Sequence, residues 1–373
     1  MRMRSIWLLV GSSVLGACAS QESSMCRRGW TPAASGGVCA TYLSAPMSVG
    51  GVAWALVAPT QEVRGVWCAG AMQVACAPAS GGVRWTLEGS DKGERLGWSV
   101  VGVQDIDGDG WGEIAVGSPG AEASSMYEQG CVRLVSGRTG TVIWRVDGQR
   151  AFDQLGCVVG RISDWNGDGV EEVLACALGE DGERTEQGNG RVVVLDGRTG
   201  ERLWQADIVE GNQGPGRSVC ASDDCDGDGR DDIVVGVPSF RGVGCVQVFG
   251  SRTGSMVWRV VGAVEDGWLG YAVTRTRDFD GDGVRDLLIA APKEGEGGVL
   301  HLLSGANGSE LRTLGGNRGE YLGLYLLCEV PDCDGDQIPE VGVSYDAEKE
   351  TRVRVLYGRT LEVMGEFGRG RVR

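Results

Sequence analysis

Short apolar runs recur along the chain and are separated by turns rich in glycine and aspartate. In the best-preserved copy, "LGWSVV" (96–101) precedes an acidic loop and "EIAVG" (113–117) follows it, with "CVRLVSG" (131–137) and "TVIW" (141–144) next. β-Branched residues in short runs bounded by glycine-containing turns predict β-strands. No unit shows the 3.6-residue periodicity of a long amphipathic helix. Each unit is therefore predicted to form four short strands.

This unit is repeated. The acidic loops start at residues 105, 164, 224, 278 and 332, and the residues 20 positions before these starts are Trp85, Trp144, Trp204, Trp258 and Arg312. A period of 54 to 60 residues between these starts indicates a repeat protein, and four-stranded antiparallel units arranged around a ring form a β-propeller. We therefore expect an all-β propeller of four-stranded antiparallel blades, five of which occupy residues 85–368. Residues 369–373 are predicted to be a tail.

A degenerate first blade is predicted over residues 36–84. "AMQVACAPASGGVRW" (71–85) aligns with "GCVRLVSGRTGTVIW" (130–144), and "VAWALVAP" (52–59) aligns with "GEIAVGSP" (112–119). This unit has Ala45, Met47, Val49 and Ala53 at the acidic positions, so it keeps the strands and lacks the acidic loop. Six blades are favoured, and five or seven remain open because the ends match least well.

Alternate aspartates in each loop point to a cation site. Side chains at loop positions 1, 3, 5 and 9 and the carbonyl at position 7 can converge on one ion, and hard oxygen ligands in a flexible loop suit Ca²⁺. The alternative is an ordinary solvated acidic turn. The predicted ligands are Asp105, Asp107, Asp109, Trp111 and Glu113 in loop 1; Asp164, Asn166, Asp168, Val170 and Glu172 in loop 2; Asp224, Asp226, Asp228, Arg230 and Asp232 in loop 3; Asp278, Asp280, Asp282, Val284 and Asp286 in loop 4; and Asp332, Asp334, Asp336, Ile338 and Glu340 in loop 5.

These loops differ from EF-hands, which need a glutamate at position 12 and flanking helices. Position 12 of loop 1 is Val116, inside a predicted strand. Up to five Ca²⁺ ions are expected. Loop 5 is predicted to bind most weakly, because Gln337 replaces the glycine at position 6, where a left-handed backbone is needed, and Pro339 stiffens the end of the loop.

The repeat resembles the FG-GAP repeats of integrin α-subunit β-propellers and their bacterial relatives. The residues that carry the resemblance are "LGWSV", "LGYAV" and "PGRSV" before the loop, the D-x-D-G-D-G loop itself, and "GSP", "GVP" and "AAP" after it. The resemblance covers five units over residues 85–364. It implies calcium loops on one face and a protein or glycan ligand on the opposite face.

The N-terminus has the features of an export signal. Arg2 and Arg4 precede an apolar stretch from Ile6 to Leu15, and "LGAC" (15–18) resembles the lipobox of bacterial lipoproteins. Residues 1–17 are thus predicted to be a signal peptide, Cys18 the lipidated residue, and 18–35 a tether. An ordinary secretory signal is the alternative. The expected location is the bacterial outer membrane or cell surface, with a lipid anchor as the only membrane attachment.

Cysteine usage fits an oxidising compartment. Of 13 cysteines, 12 remain after Cys18, and disulfides are common outside the cytoplasm. The candidate half-cystines are Cys26 with Cys39, Cys157 with Cys176, Cys220 with Cys225, and Cys328 with Cys333, the last two pairs at equivalent positions of loops 3 and 5. The alternative is that these cysteines are small buried residues that never pair.

The sequence favours binding over catalysis. A net charge of −16 argues against a nucleic-acid partner. His301 is the only histidine and lies on a predicted strand, which excludes histidine-based triads. We therefore expect a calcium-stabilised, non-catalytic surface module for adhesion or recognition. The longer connections 118–129 and 178–189 are the predicted ligand loops, and the alternative is that they are functionally neutral insertions. The alternatives are a propeller enzyme that acts on polysaccharide or uses a quinone cofactor, and a structural part of an envelope complex.

Overall fold

The protein is described here from a computed structural model, in residues 52–57, 65–70, 73–78, 85–90, 93–122, 126–177, 190–208, 217–330, 332–347 and 350–367. Several predictions fall outside these ranges: the signal peptide, lipidated Cys18, the Cys26–Cys39 pair, the degenerate acidic positions at Ala45, Met47 and Val49, and the connection 178–189. Within the described ranges the fold is all-β, and no helix there is long and apolar enough to cross a membrane.

The described residues form six four-stranded antiparallel sheets. The N-terminal sheet contains β1 (Val52–Val57), β2 (Gly65–Gly70), β3 (Gln73–Pro78) and β4 (Trp85–Glu88). Blade 1 contains β5 (Ser99–Gly102), β6 (Ile114–Ser118), β7 (Cys131–Val135) and β8 (Val142–Asp147). Blade 2 contains β9 (Val158–Ile162), β10 (Glu172–Ala177), β11 (Arg191–Leu195) and β12 (Arg202–Asp207).

The three remaining sheets follow the same plan. Blade 3 contains β13 (Ser218–Ala221), β14 (Ile233–Val237), β15 (Cys245–Phe249) and β16 (Met256–Val261). Blade 4 contains β17 (Ala272–Arg275), β18 (Leu287–Ala291), β19 (Val299–Leu303) and β20 (Glu310–Gly315). Blade 5 contains β21 (Leu327–Val330), β22 (Glu340–Ala347), β23 (Glu350–Leu356) and β24 (Val363–Phe367).

The sheets are arranged as propeller blades. Within each sheet the strands pair in chain order, and the first strands of successive sheets, from β1 and β5 through to β21, lie side by side in the same order. The predicted propeller of four-stranded antiparallel blades is therefore confirmed. Blades 1–5 are the five units with acidic loops. The count of six, which requires the N-terminal sheet as a further blade, stays a prediction.

The N-terminal sheet differs from its sequence alignment. Residues 52–59 align with the second strand of a blade, but β1 is the first strand of its sheet and lies beside β5, and β2 is the second strand. β4 pairs with β3, so this sheet extends through Trp85 to Glu88. The alignment was wrong in this segment because short apolar runs at similar spacing fit either strand of a hairpin.

The core lies between neighbouring blades. β6, β10, β14 and β18 are buried along their entire length, because each middle strand packs against another blade on both faces. One apolar cluster joins blades 1 and 2 through residues such as Val101 and Val173, and another joins blades 2 and 3 through Leu174 and Val219. Burial on both faces explains why these strands are continuous apolar runs rather than alternating ones.

The turn between the third and fourth strands is constant in blades 1–5. In each blade the strand register shifts by one residue just before the turn, between Leu134 and Val135 in blade 1 and between Val355 and Leu356 in blade 5. The turn that follows, 137–140 in blade 1, lies beside the preceding sheet, where Trp85 Nε1 donates to the carbonyl of Gly137. The tryptophan of the repeat contacts the turn there.

Candidate metal centres

Each acidic loop joins the first strand of its blade to the second. Loop 1 lies between β5 and β6, and loops 2–5 occupy the same place in blades 2–5. Because strands alternate in direction, the loops share one face of the propeller with the turns between third and fourth strands. The connections between second and third strands emerge on the opposite face.

The aspartate at position 1 organises the loop. In loop 1, Asp105 Oδ1 accepts hydrogen bonds from the backbone N–H groups of Gly108 (2.8 Å) and Asp109 (3.1 Å), and Oδ2 accepts one from Gly110 (2.8 Å). Bonds from the amides at positions 4 and 6 to this aspartate recur in the other four loops. These bonds hold the pKa of Asp278 in loop 4 below its usual range. The backbone therefore curls around this side chain.

Aspartates at positions 3 and 5 use one oxygen each to support the turn. Asp107 Oδ1 accepts from the N–H of Asp109 at 3.0 Å, and Asp109 Oδ1 accepts from that of Trp111 at 2.9 Å. In loop 2 the position-3 residue is Asn166, whose Oδ1 accepts in the same way at 2.9 Å and whose amide nitrogen donates to Asp196 at 2.7 Å. In loop 1 the second oxygen of Asp107 and of Asp109 is left available to a ligand, whereas in loop 4 Asp282 Oδ2 accepts a hydrogen bond from Ser304 Oγ at 3.3 Å.

The carboxylate at position 9 forms a hydrogen bond back to the start of each loop. It lies on or beside the first residue of the second strand and accepts a hydrogen bond from the N–H at position 2, at 2.5 to 2.9 Å in all five loops. All five side chains belong to almost fully buried residues: Glu113, Glu172, Asp232, Asp286 and Glu340.

The structure brings most predicted ligands together. In loop 1, oxygen atoms of Asp105, Asp107, Asp109 and Glu113 all lie within 4.8 Å of one another. Three acidic residues form such a group in each other loop: Asp164, Asp168 and Glu172; Asp224, Asp226 and Asp232; Asp278, Asp280 and Asp282; and Asp332, Asp334 and Asp336. Asp228, Asp286 and Glu340 stand outside these groups. Oxygen atoms around a calcium ion at 2.3–2.6 Å lie about this far apart.

Loop 1 also contains an unsatisfied buried oxygen. Glu113 is 0% exposed, and its Oε1 has no hydrogen-bond partner among the described residues. Oδ2 of Asp228 in loop 3 is likewise buried without a partner. A buried carboxylate oxygen without a donor is costly, and a divalent cation among the neighbouring aspartates would satisfy it. The donor set, all oxygen and mostly carboxylate, fits Ca²⁺.

Burial raises the pKa of each position-9 carboxylate, and the aspartates nearby add to the effect. The pKa rises to about 8 for Glu113, about 7 for Glu172 and Glu340, and about 6 for Asp232 and Asp286. Like charges and low polarity both disfavour the ionised form. A cation bound among these carboxylates would favour their ionised form.

Position 6 has a left-handed backbone in both loop 1 and loop 5. Gly110 at position 6 of loop 1 has φ of +87°, and the equivalent Gln337 of loop 5 has φ of +70°. A side chain in this left-handed region is strained by roughly 1–2 kcal/mol. Val116 at position 12 lies within β6, which agrees with the exclusion of an EF-hand.

The predicted disulfides are not present among the described residues. Eight cysteines there are thiols: Cys131, Cys157, Cys176, Cys220, Cys225, Cys245, Cys328 and Cys333. The Sγ of Cys157 lies 3.2 Å from the carbonyl oxygen of Cys176, and that of Cys225 lies 3.3 Å from Ser222 Oγ, so these groups turn to other atoms. Burial raises the pKa of Cys157 and Cys225 to about 12. The alternative of small, buried, unreactive residues fits better.

The opposite face contains features that the sequence reasoning missed. Arg133 pairs with buried Glu94, and Arg354 forms two hydrogen bonds to Glu320, at 2.5 and 2.8 Å. Both arginines hold the same position in the third strand, so the repeat could have revealed them. His301 occupies that position in blade 4, on β19 as predicted, between Glu294 (3.0 Å) and Glu310 (2.7 Å).

Aromatic and cationic side chains also gather on this face. Trp268 and Tyr271 stack with ring centroids 5.6 Å apart, Lys293 Nζ lies 3.4 Å from the Trp268 ring centroid, and the Arg217 guanidinium lies 4.4 Å from that of Tyr271. Sequence inspection gave no signal for this cluster, because its members come from three separate connections.

Comparison with known proteins agrees with this geometry. A profile of the FG-GAP repeat matches residues 96–127, 215–249 and 269–303. Integrin alpha-PS2 of Drosophila melanogaster is 29% identical over 218 residues, which are 52% of this chain and 15% of that protein. Integrin alpha pat-2 of Caenorhabditis elegans is 26% identical over 218 residues, 48% of this chain and 17% of that protein. The match therefore spans about a sixth of the length of these relatives.

Among solved structures, the V. cholerae biofilm matrix protein Bap1 is similar at 20% sequence identity, with a TM-score of 0.41 over 72% of this chain and 38% of that chain. The assignment of the repeats does not depend on this likeness. It rests on the matched FG-GAP repeats, whose boundaries enclose the loops of blades 1, 3 and 4, and on the similarity to the two integrins. We conclude that this chain contains FG-GAP repeats and forms an integrin-α-like β-propeller.

Proposed function

We propose that this protein is a calcium-stabilised, non-catalytic recognition module at the cell surface. The observation that carries the proposal is loop 1, where four carboxylates converge within 4.8 Å and fully buried Glu113 keeps one oxygen with no partner in the described part of the chain. Four more loops repeat the same turn. Similarity to integrin α chains supports an extracellular location, and the lipid anchor at Cys18 remains part of the proposal.

Calcium would act here as a structural ion. Each loop joins the two innermost strands of its blade, so an ion held by positions 1, 3, 5 and 9 fixes the start of β6 relative to the end of β5. Ligand binding that is restricted to the folded state stabilises it by RT ln(1 + [L]/Kd), or about 2.7 kcal/mol per site at 100-fold excess over Kd. Five ions would also offset 10 of the 16 net negative charges. The N-terminal sheet, which has β1 against β5, completes the ring as a sixth blade in this proposal.

The ligand surface is proposed on the face opposite the acidic loops. Variable connections on a rigid scaffold commonly carry binding residues, and this face exposes aromatic side chains suited to protein or glycan contacts. Tyr127 is 66% exposed and stacks on Phe152 at 6.5 Å, and Tyr321 is 43% exposed. Tyrosine offers a large contact area with a polar tip.

The calcium part is tested by thermal denaturation and equilibrium dialysis of the metal-free protein with and without Ca²⁺. We expect saturable binding of several ions and a rise in melting temperature of about 5 °C or more. Mg²⁺ at equal concentration serves as the control. An unchanged melting temperature and no saturable binding would rule out a structural calcium role.

Recognition is tested by binding to immobilised glycans and extracellular matrix proteins, with and without chelator. Substitution of Tyr127 and Tyr321 by serine should weaken binding without a change in melting temperature. If both variants bind as the parent does, the ligand does not use this face.

A further inference from the structure

Successive metal loops are joined by side-chain contacts that repeat at the same two positions. We call the residue just before position 1 the leading residue. In blade 1 it is Gln104, whose backbone N–H donates to Glu171 Oε2 at 3.1 Å and whose Nε2 donates to the carbonyl of Gly169 at 3.2 Å. Glu171 and Gly169 occupy positions 8 and 6 of loop 2, so loop 1 is connected directly to loop 2.

The next two junctions use the same positions with different chemistry. Ser163, the leading residue of loop 2, donates from Oγ to Oδ2 of Asp231, position 8 of loop 3, at 2.6 Å. Asp223, the leading residue of loop 3, accepts from the Nη2 and backbone N–H of Arg285, position 8 of loop 4, at 2.6 and 2.9 Å.

These contacts lie beside the candidate ligands. Position 8 is bonded on one side to position 7, whose carbonyl is a predicted ligand, and on the other to the buried carboxylate residue at position 9. The leading residue is bonded to the aspartate that organises its own loop. When a cation orders one loop, its position-8 residue is held in place, and that residue in turn fixes the leading residue of the loop before it.

The fourth junction is different. The leading residue of loop 4 is Arg277, whose guanidinium lies 4.2 Å from the ring centroid of Phe279 in its own loop. Position 8 of loop 5 is Pro339, which has no side-chain donor or acceptor. Among the described contacts none links these two residues, so loop 5 stands apart from the connected series of loops 1–4.

We propose that Gln104, Ser163 and Asp223 are positioning residues that couple divalent-cation binding in loops 1–4, whereas loop 5 binds independently. This inference rests on the proposed calcium function. A physical coupling of this kind typically changes affinity by 5-fold or more, because an ordered neighbour removes part of the cost of ordering the next loop.

Terbium luminescence can measure the coupling site by site. Trp165 is position 2 of loop 2, and its ring centroid lies 5.3 Å from the guanidinium of Arg230 at position 7 of loop 3. The part of the tryptophan-sensitised Tb³⁺ emission that Trp165→Phe removes therefore reports loops 2 and 3, and it reports loop 2 alone once loop 3 is disabled. Loop 3 is disabled by Asp226→Ala. The Tb³⁺ midpoint of loop 2 should then rise roughly 5-fold or more, and this rise should vanish in a Ser163→Ala background. Asp334→Ala, which disables loop 5, should leave the loop 2 midpoint within about 2-fold.

A conservative variant separates coupling from general damage. Asp231→Asn keeps an oxygen that accepts from Ser163 and should keep the coupling, whereas Asp231→Ala should lose it, with melting temperatures compared at saturating Ca²⁺. If loop 2 is unaffected by Asp226→Ala, or if the effect persists without Ser163 Oγ, the coupling is overturned and the calcium function stands. If the parent protein shows no saturable Ca²⁺ or Tb³⁺ binding, the calcium function itself fails.

Discussion

The indole Nε1 of Trp144 donates a 2.8 Å hydrogen bond to the carbonyl oxygen of Gly197 in the next blade. A Cβ atom on Gly200, in the same turn, would lie 2.9 Å from this indole. Trp85 and Trp258 make equivalent bonds, to Gly137 and Gly305 at 3.0 and 2.9 Å. The tryptophan of one unit and the turn of the next therefore form a joint between blades.

The last junction shows that the two positions change together. Arg312 replaces the tryptophan and donates to the carbonyl of Thr360 at 2.8 Å. In the same turn, Leu361 replaces the glycine and adopts φ of +58°. The turn keeps its left-handed backbone without glycine where no indole lies against it.

Removal of the indole should weaken the protein strongly. We expect Trp144→Ala to lower the free energy of unfolding by about 3–5 kcal/mol, since both packing and the hydrogen bond are lost. Trp144→Phe should cost less because it keeps most of the packing. Urea denaturation at saturating Ca²⁺ measures both.

Val142→Ala, on the same strand and 42% exposed, is the matched control and should change stability by less than about 0.5 kcal/mol. Equal losses for Trp144→Ala and Val142→Ala would contradict the role of the joint.

Gln337 should limit the affinity of loop 5. Gln337→Gly removes the strain of a side chain at φ of +70°, which is worth roughly 1–2 kcal/mol and is partly offset by about 0.4–1 kcal/mol of added freedom in the unfolded chain. We expect Ca²⁺ to bind loop 5 roughly 2- to 5-fold more tightly. Calorimetric titration of a variant with loops 1–4 disabled measures this.

The reverse change in loop 1 provides the control. Gly110→Gln introduces the same strain at φ of +87°, so calcium affinity there should fall by a similar factor. If both substitutions leave affinity unchanged, the backbone at position 6 does not decide the difference between the loops.

Sequence reasoning succeeded where a signal is local and repeated. The strands around loop 1 and the return of the position-9 carboxylate to the loop follow from residue order and spacing, and Glu113 was found in this way. Ion pairs such as that of Glu94 with Arg133 join residues far apart in the chain, so no local sequence pattern predicts them. The disulfide predictions failed because equivalent positions in a repeat show where cysteines lie but not where their sulfur atoms point.

The substitution Glu113→Gln should weaken calcium binding without lowering the stability of the metal-free protein. The Oε1 of Glu113 is buried without a hydrogen-bond partner among the described residues, so Glu113→Gln removes an unsatisfied buried carboxyl oxygen and should leave the metal-free protein as stable as the parent or more stable. Ca²⁺ should bind loop 1 at least 10-fold more weakly, since a ligand charge is lost. Paired urea denaturations with Ca²⁺ and with chelator give both values. A loss of stability in chelator would show that the carboxylate is satisfied without an ion.

Acid should weaken the protein through the ion pair of Glu320 with Arg354. Hydrogen bonds from Arg354 lower the pKa of Glu320 from 4.5 to about 2, so its contribution is fully present above about pH 4.5 and is lost as the pH falls towards 2. Because both side chains are almost buried, the contribution is about 3 kcal/mol at most. Glu320→Gln should lower the free energy of unfolding at pH 6, and its difference from the parent in this quantity should shrink between pH 4.5 and 2.

Asp147→Asn, at the exposed pair with Arg145, is the control and should differ from the parent in free energy of unfolding by under about 1 kcal/mol at either pH. A pH-independent difference for Glu320→Gln would mean that Arg354 does not hold this carboxylate ionised.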